Sequence, residues 1–113
     1  MSSHSMLKKL MTHSLTIRKR ERDWQGSFSD KKTFSTRGFV QYGTKLVTDR
    51  KGEETTASAI IFLPDIAPID PAYEHWMIDQ TTPYTREGME VIRIDPVDDP
   101  RTGKIHHYEV AVR

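Results

Sequence analysis

Residues 57–63 read Ala-Ser-Ala-Ile-Ile-Phe-Leu and form the most apolar run of the chain. The run is short enough to be a single buried strand. Three prolines at positions 64, 68 and 71 follow it, and each removes a backbone donor and favours extended geometry in the residue before it. The sequence therefore predicts a buried strand that ends in a proline-rich loop.

Strand-like segments lie on both sides of this run, separated by turns that contain Gly or Pro. They alternate apolar and polar side chains or are rich in Thr, Val and aromatic residues, which is typical of strands. A parallel sheet would need helices between its strands, so the pattern favours an antiparallel barrel or sandwich. We predict a mainly β fold, a small antiparallel β-barrel with long loops. Its strand segments are residues 15–18, 33–42 with a bend at Gly38, 57–63, 74–79, 89–95 and 104–112.

A length of 113 residues corresponds to one domain. Residues 1–14 form an N-terminal segment, either a short helix or a flexible arm, because Met6, Leu7, Leu10 and Met11 have helical spacing. Residues 15–113 form the barrel. We interpret residues 18–32 as a hairpin tip or long loop, and residues 44–56 as a mobile excursion with a turn at Asp49-Arg50-Lys51-Gly52.

The composition excludes several classes of protein. The chain has no cysteine, so a disulfide scaffold, a thiolate zinc site and a cysteine nucleophile are excluded. No apolar run approaches the roughly 18 residues of a membrane span. Hydrophobic residues make up 35% of the chain, which is low for a globular domain, where apolar residues with Gly reach about 45–50%. Loops, tails or burial against a partner would each account for that deficit.

The formal net charge of +1 conceals a strong asymmetry. Residues 1–52 hold 12 Lys or Arg and 4 Asp or Glu, whereas residues 53–113 hold 5 and 12. The near-zero total argues against a general DNA-coating protein. Two interpretations stay open: the halves mix on the folded surface, or they form opposite patches that meet between subunits of an assembly.

Motifs that carry chemistry are missing. The chain contains no glycine-rich phosphate loop and no nucleophile elbow. The acidic residues around Asp95 do not have the spacing of a calcium loop. His106 and His107 are adjacent on a predicted strand, so we expect their rings to point to opposite faces and to bind no common ion. We therefore predict no enzyme activity, no cofactor and no metal site.

Basic and aromatic residues alternate over positions 18–45, and two of the aromatics, Trp24 and Phe28, look exposed. On a small barrel this pattern could form an OB-type platform for single-stranded nucleic acid. The other interpretation assigns Phe34, Phe39 and Tyr42 to the core or to an interface. As a partner interface we select Trp24, Phe28, Lys31 and Lys32.

The order of elements and the C-terminal strand carry a family resemblance. The segments concerned are Thr16–Arg20, Phe39–Gln41, the aliphatic run that ends Leu63-Pro64, Met89–Pro96, and the final Gly103-Lys104-Ile105-His106-His107-Tyr108-Glu109-Val110. Over residues 15–113 the chain resembles the small head-closure proteins, also called stopper or head-completion proteins, of tailed bacteriophages and prophages. The segment before Thr16 and the stretch from Trp24 to Phe28 match no motif of that family.

The resemblance implies a structural virion protein that assembles in the host cytoplasm as a dodecameric ring below the portal and adaptor proteins. Such a ring retains the packaged double-stranded DNA and provides the platform for a tail terminator or tail-completion protein. The excursion at residues 44–56 would face the channel as its gate, with Lys45, Asp49, Arg50 and Lys51. The alternatives are an OB-like single-strand binder and the tail terminator of the same connector. The adaptor, a mainly helical protein, is disfavoured by the strand-rich sequence.

Overall fold

Alternating apolar and polar side chains form six strands in the computed structural model, which describes residues 9–113. The strands close into an antiparallel barrel in the order β1-β2-β3-β6-β5-β4. This confirms the predicted mainly β, antiparallel class. No helix is among the elements of residues 9–113, so the short helix predicted within residues 1–14 is not found there, and the rest of that segment, residues 1–8, lies outside the described part. The strands are β1 (His13–Arg22), β2 (Phe28–Thr48), β3 (Glu54–Pro64), β4 (Trp76–Thr82), β5 (Arg86–Asp98) and β6 (Ile105–Val112).

The apolar run of residues 57–63 lies in β3, where it contributes to the centre of the core. Ile61 and Leu63 are fully buried, whereas Ile60 and Phe62, on the opposite parity, are only partly buried. Successive side chains of a strand point to opposite faces, so one parity fills the barrel and the other forms its wall. In β6 the apolar side chains of one parity are buried in the same way: Tyr108, Val110 and Val112.

At Gly38, strand β2 stops pairing with β1 and begins to pair with β3. Residues up to Gly38 pair with β1, and from Phe39 onward β2 pairs with β3. A Cβ atom at Gly38 would lie 2.6 Å from the carbonyl oxygen of Phe62 and 2.7 Å from Cδ1 of Leu15. Only glycine fits so close an approach of the backbone. The sequence singled out this residue as the bend of the strand.

The predicted long loops are only partly present. Residues 18–32 form the end of β1, a short turn and the start of β2, and residues 44–56 also belong to a hairpin. Both stretches are ribbons with polar side chains on each face, so they lack the alternation that identifies a half-buried strand. The connection between β3 and β4, residues 65–75, is a long one, as the prolines predicted.

Candidate interaction surfaces

The β1–β2 hairpin ends in a hydrogen-bonded turn that presents Trp24 to solvent. The Asp23 carboxylate accepts hydrogen bonds from the main-chain N–H groups of Gln25 and Ser27, both at 2.9 Å. Trp24 is 91% exposed, whereas Trp76 in the core is 3% exposed. Trp is one of the residue types enriched in protein interfaces, so the Trp24 ring is a candidate contact for a partner.

The predicted partner-interface residues are spread along this hairpin: Trp24 lies in its turn, Phe28 begins β2, and Lys32 lies farther along β2, opposite Lys19. The guanidinium of Arg22 lies 5.8 Å from the centre of the Phe28 ring. Lys31 Nζ is 4.0 Å from a carboxylate oxygen of Glu21, at the outer limit of an ion pair. Trp24, Phe28, Lys31 and Lys32 thus belong to one hairpin, and their role as a partner interface stays a prediction.

Two lysines face each other across the same hairpin. Lys19 on β1 is paired directly with Lys32 on β2. Like charges in directly opposed positions destabilise a strand pair. The ammonium group of Lys19 is held 4.5 Å from the centre of the Tyr73 ring, an attractive cation–π arrangement. This contact draws Lys19 toward the barrel and leaves Lys32 at the surface.

Residues 44–56 form the distal part of the β2–β3 hairpin. Cross-strand pairing continues from Lys45 opposite Ala57 to Thr48 opposite Glu54. The predicted excursion is thus a paired extension of two strands, because main-chain pairing organises this polar stretch without an apolar pattern in its sequence. Its mobility stays a prediction.

The turn predicted at residues 49–52 is confirmed. The Asp49 carboxylate accepts hydrogen bonds from the N–H groups of Lys51 and Glu53, both at 2.9 Å. Gly52 has φ of 84°, a left-handed conformation that favours glycine. The Asp49 side chain is thus occupied within its own turn, whereas Lys45 and Lys51 are exposed.

Arg50 binds the connection between β3 and β4. Its Nη1 donates to the carbonyl oxygen of Tyr73 at 2.8 Å and its Nη2 to that of Ala72 at 3.1 Å. Of the four residues predicted to line a gate, Arg50 is therefore held by main-chain acceptors. A guanidinium can satisfy two carbonyls at once because its donors form a planar fork.

Two further arginines reach the β2–β3 hairpin. Arg93 of β5 donates through Nη1 to the carbonyl oxygen of Thr48 at 3.1 Å. Arg113 donates through Nη1 to Oγ1 of Thr55 at 3.3 Å. Together with Arg50, these residues join the hairpin to three other parts of the fold.

Tyr73 connects both candidate surfaces. Its hydroxyl donates to the carbonyl oxygen of Arg20 in β1, its ring lies beneath Lys19, and its own carbonyl accepts from Arg50. Sequence analysis missed this residue because it lies in the proline-rich connection. A signal was present: Asp70 followed by Pro71 is a type I turn pattern, and the Asp70 carbonyl does accept from the N–H of Tyr73 at 3.1 Å.

The outer wall of the barrel carries a band of rings across four strands, named here the aromatic band: His13, Phe39, Phe62 and His107. Neighbouring ring centres are 5.1, 6.2 and 6.1 Å apart along the band. These distances lie in the range of favourable aromatic contacts. An aromatic stripe makes this part of the outer wall apolar. Binding of a partner there would remove apolar surface from water.

A groove of about 260 Å³ adjoins the aromatic band at Phe62. Val47, Ile60 and Ala111 line it together with polar and charged side chains, among them Lys45 and Glu109, and with an ion pair in which Arg93 Nε lies 2.7 Å from Asp95 Oδ1. The groove is therefore a mixed surface in which polar and charged groups accompany the apolar ones.

The aromatics predicted as one OB-type platform are dispersed. Phe34 and Tyr42 pack against the core, Phe39 belongs to the aromatic band, and Trp24 and Phe28 stand on the hairpin tip. The six-stranded closed barrel also differs from the five-stranded, partly open OB-fold. Stacking along a single strand of nucleic acid would need these rings on one face.

Tyr42 instead donates a hydrogen bond to the side chain of Gln80, which is fully buried. The Gln80 amide also donates through Nε2 to the carbonyl oxygen of Thr82 at 3.1 Å. Burial raises the pKa of the Tyr42 hydroxyl, and the neighbouring Tyr84 raises it further, whereas Arg86 opposes the shift.

His106 and His107 do not point away from each other, so that part of the sequence prediction is wrong. Their Nδ1 atoms lie 2.8 Å apart. The pairing between β5 and β6 shifts register between Val97 and Asp98, so the start of β6 is not a regular strand. Such a contact needs one Nδ1 that carries a proton and one that accepts it.

Within residues 9–113, no three His, Asp or Glu side chains are grouped so that they could hold a metal ion. In the same part of the chain, no helix has the length and apolar character needed to cross a membrane.

Ion pairs largely join residues of the same half of the chain. Arg18–Asp30 lies in the basic half, and Arg113–Glu90 lies in the acidic half. Arg18 also binds Asp79, with Nε 2.9 Å from Oδ2, and so joins the two halves.

Comparison of the chain with family models, with curated proteins and with solved structures gives no match. The functional conclusions below therefore rest on the residues and their arrangement.

Proposed function

We propose that this chain is a structural protein of the head–tail connector of a tailed bacteriophage or prophage, a head-closure subunit that forms a dodecameric ring. In the ring it would lie below the portal and adaptor proteins, retain packaged DNA and present a platform to the tail. The subunit has no catalytic role in this proposal and needs no cofactor.

The aromatic band is the observation that supports this proposal best. A small closed barrel has no need of rings on its outer wall for its own core, so an apolar wall favours burial between subunits. The groove beside the band, about 260 Å³ in volume, lies on this wall, and the Trp24 tip is a different surface. A ring needs such unlike patches, because each subunit joins its neighbour head to tail.

Mass spectrometry of purified mature virions tests the proposal. A head-closure subunit is present in filled, tailed particles at the copy number of the portal, and it is absent from empty precursor heads. Detection only in infected-cell lysate, and never in virions, would contradict a structural role.

The tail terminator of the same connector is the second candidate, since the same apolar wall would serve it equally. Binding partners separate the two. A head-closure subunit binds portal–adaptor complexes, whereas a terminator binds purified tail tubes in their absence.

A further inference from the structure

Arg86 differs from the other partly buried arginines of the barrel because it has no carboxylate partner. Arg18 makes a two-pronged contact with Asp79, with Nη2–Oδ1 and Nε–Oδ2 distances of 3.0 and 2.9 Å. Arg20 Nε lies 3.3 Å from Asp30. Arg86 is also partly buried, yet it makes no ion pair with any residue of the range 9–113. Charges that are withdrawn from water are normally paired, so Arg86 lacks a counter-ion in the single subunit.

Two neutral side chains hold the Arg86 guanidinium in place. Its Nη2 donates to Oγ of Ser58 in β3 at 2.9 Å, and its central carbon lies 5.1 Å from the centre of the Tyr42 ring in β2. Tyr42 in turn donates to Gln80 of β4, which is fully buried. The positive charge is thus positioned by three other strands without being neutralised. Binding sites commonly hold a charged group in this way, ready for a ligand of opposite charge.

The surface around Arg86 has the composition of a protein contact. Tyr84 is exposed, and its ring centre lies 5.7 Å from that of Tyr42. Arginine and tyrosine are two of the residue types enriched among the interface residues that contribute most to binding. The planar fork of a guanidinium matches the two oxygens of a carboxylate. A carboxylate on a protein partner would therefore complete this site.

The second half of the chain offers carboxylates in excess. Residues 53–113 hold 12 Asp or Glu and 5 Lys or Arg. Within the range 9–113, four exposed carboxylates of this half make neither an ion pair nor a hydrogen bond: Glu53, Glu54, Glu87 and Asp98. Each copy thus presents an arginine without a counter-ion and carboxylates without a cation, so two copies can complete the pairing that one copy leaves open.

We propose that Arg86 binds a carboxylate side chain of a second copy of this chain, with Tyr42 and Tyr84 forming the surface around the contact. The inference rests on the proposed function, because the ring supplies the neighbouring copy. It adds a specific charge pair to a contact that the aromatic band leaves without one. Such a pair fixes the orientation of one subunit on the next.

Sedimentation velocity of the full chain tests the contact, both alone over a concentration series and with the portal–adaptor complex. Arg86→Gln weakens assembly at least about tenfold, because the carboxylate of the second copy is left buried without a cation. Arg101→Gln is the matched control: it removes the same charge from the same half of the chain, but Arg101 is exposed and already lies 3.5 Å from Asp99. Its assembly changes by less than about twofold. Circular dichroism of each variant confirms the fold.

Exchange of charges identifies the carboxylate. Arg86→Glu abolishes assembly, because it places two carboxylates against each other. A second substitution in the same chain then restores the pair with its charges reversed. The four double variants combine Arg86→Glu with Glu53→Lys, Glu54→Lys, Glu87→Lys or Asp98→Lys, and one of them recovers assembly while the others do not.

The contact and the ring fail in different ways. If Arg86→Gln joins the portal–adaptor complex as well as the unchanged chain does, the contact is overturned and the ring stands. The contact is also overturned if none of the four double variants recovers assembly. A chain that neither associates with itself nor joins the complex contradicts both. If Arg86→Gln assembles normally but loses affinity for duplex DNA in an anisotropy titration, the site binds phosphate and the proposed contact is wrong.

Discussion

The Arg50 guanidinium and the Tyr73 main chain are joined by a hydrogen bond of 2.8 Å between Nη1 and the carbonyl oxygen. This contact links the turn of the β2–β3 hairpin to a residue whose hydroxyl bonds the carbonyl of Arg20 in β1. The segment that the family resemblance identifies as a gate is thus attached in the isolated subunit. Any movement of that segment must first break the Arg50 contacts.

Arg50→Ala should release the turn at residues 49–53 from the connection before β4. Two charged donors are lost at a solvent-exposed site, so we expect a loss of about 1 kcal/mol in the free energy of unfolding. Hydrogen exchange should accelerate in residues 49–53 and 70–74. Lys51→Ala is the matched control, because it removes a charge from the same turn without removing the hydrogen bonds that Arg50 makes. Equal exchange in both variants would show that Arg50 does not hold the hairpin.

Tyr42→Phe should leave the buried side-chain oxygen of Gln80 without its donor. The expected loss is about 1–3 kcal/mol, the cost of an unsatisfied buried polar group. Denaturant unfolding measures it, with Tyr84→Phe as control because Tyr84 packs against the same ring and is 54% exposed. If Tyr42→Phe costs no more than the control, the Tyr42–Gln80 bond contributes nothing to stability.

Gly38→Ala should destabilise the barrel by about 1–3 kcal/mol or more, the range for an overpacked core. The added Cβ would lie 2.6 Å from a main-chain oxygen of Phe62, which cannot move without disturbing β3. Thermal unfolding measures the loss, and Ser35→Ala on the exposed side of the same strand provides the control. An unchanged melting temperature would show that β2 and β3 can separate at this point.

Asp99 should contribute an acid-sensitive part of the stability. The hydrogen bond from the N–H of Arg101, 2.9 Å from Oδ1, is the main cause that lowers the pKa of Asp99 below its ordinary 3.8. Since the folded-state pKa lies below that of the unfolded chain, the contribution is fully present above the unfolded pKa. It is lost as the pH falls through the lowered folded-state pKa.

Unfolding experiments between about pH 5 and pH 2 measure this contribution. Asp99→Asn should flatten the pH dependence of stability in that interval, whereas Asp98→Asn serves as the neighbouring control. A steeper loss of stability in the Asp99→Asn variant would contradict the direction of the shift.

The parts of the fold that follow from a simple physical pattern could be predicted from the sequence. Ile61 and Leu63 alternate with partly buried neighbours in an apolar run, and Asp49 with Gly52 forms a recognisable turn. For residues 18–32 the sequence left a hairpin tip and a long loop both open, because a two-stranded ribbon with polar side chains on both faces has no period to detect, and the structure selects the hairpin tip. The Arg50–Tyr73 contact could not be predicted either. It joins residues far apart in sequence, and its acceptor is a main-chain oxygen that any residue type would supply.

The candidate surfaces likewise divide into those that follow from nearby residues in the sequence and those that only the fold brings together. Trp24, Phe28, Lys31 and Lys32 are close in sequence, so all four lie on one hairpin. The aromatic band comes from four strands, and only the register of the closed barrel places Phe39 beside Phe62. The rings of His106 and His107 meet because a register shift interrupts β6. No residue type in that stretch predicts such a shift.

Sedimentation of the full chain with the cognate portal–adaptor complex tests the central claim, ring assembly at the head–tail connector, most directly. The account predicts a saturable complex with one copy of this chain for each portal subunit. If the basic and acidic halves of the chain meet between subunits, the complex weakens toward 1 M salt, where the screening length falls to about 3 Å. A chain that stays at the top of the gradient at low salt, alone and monomeric beside an intact portal–adaptor complex, would contradict the account.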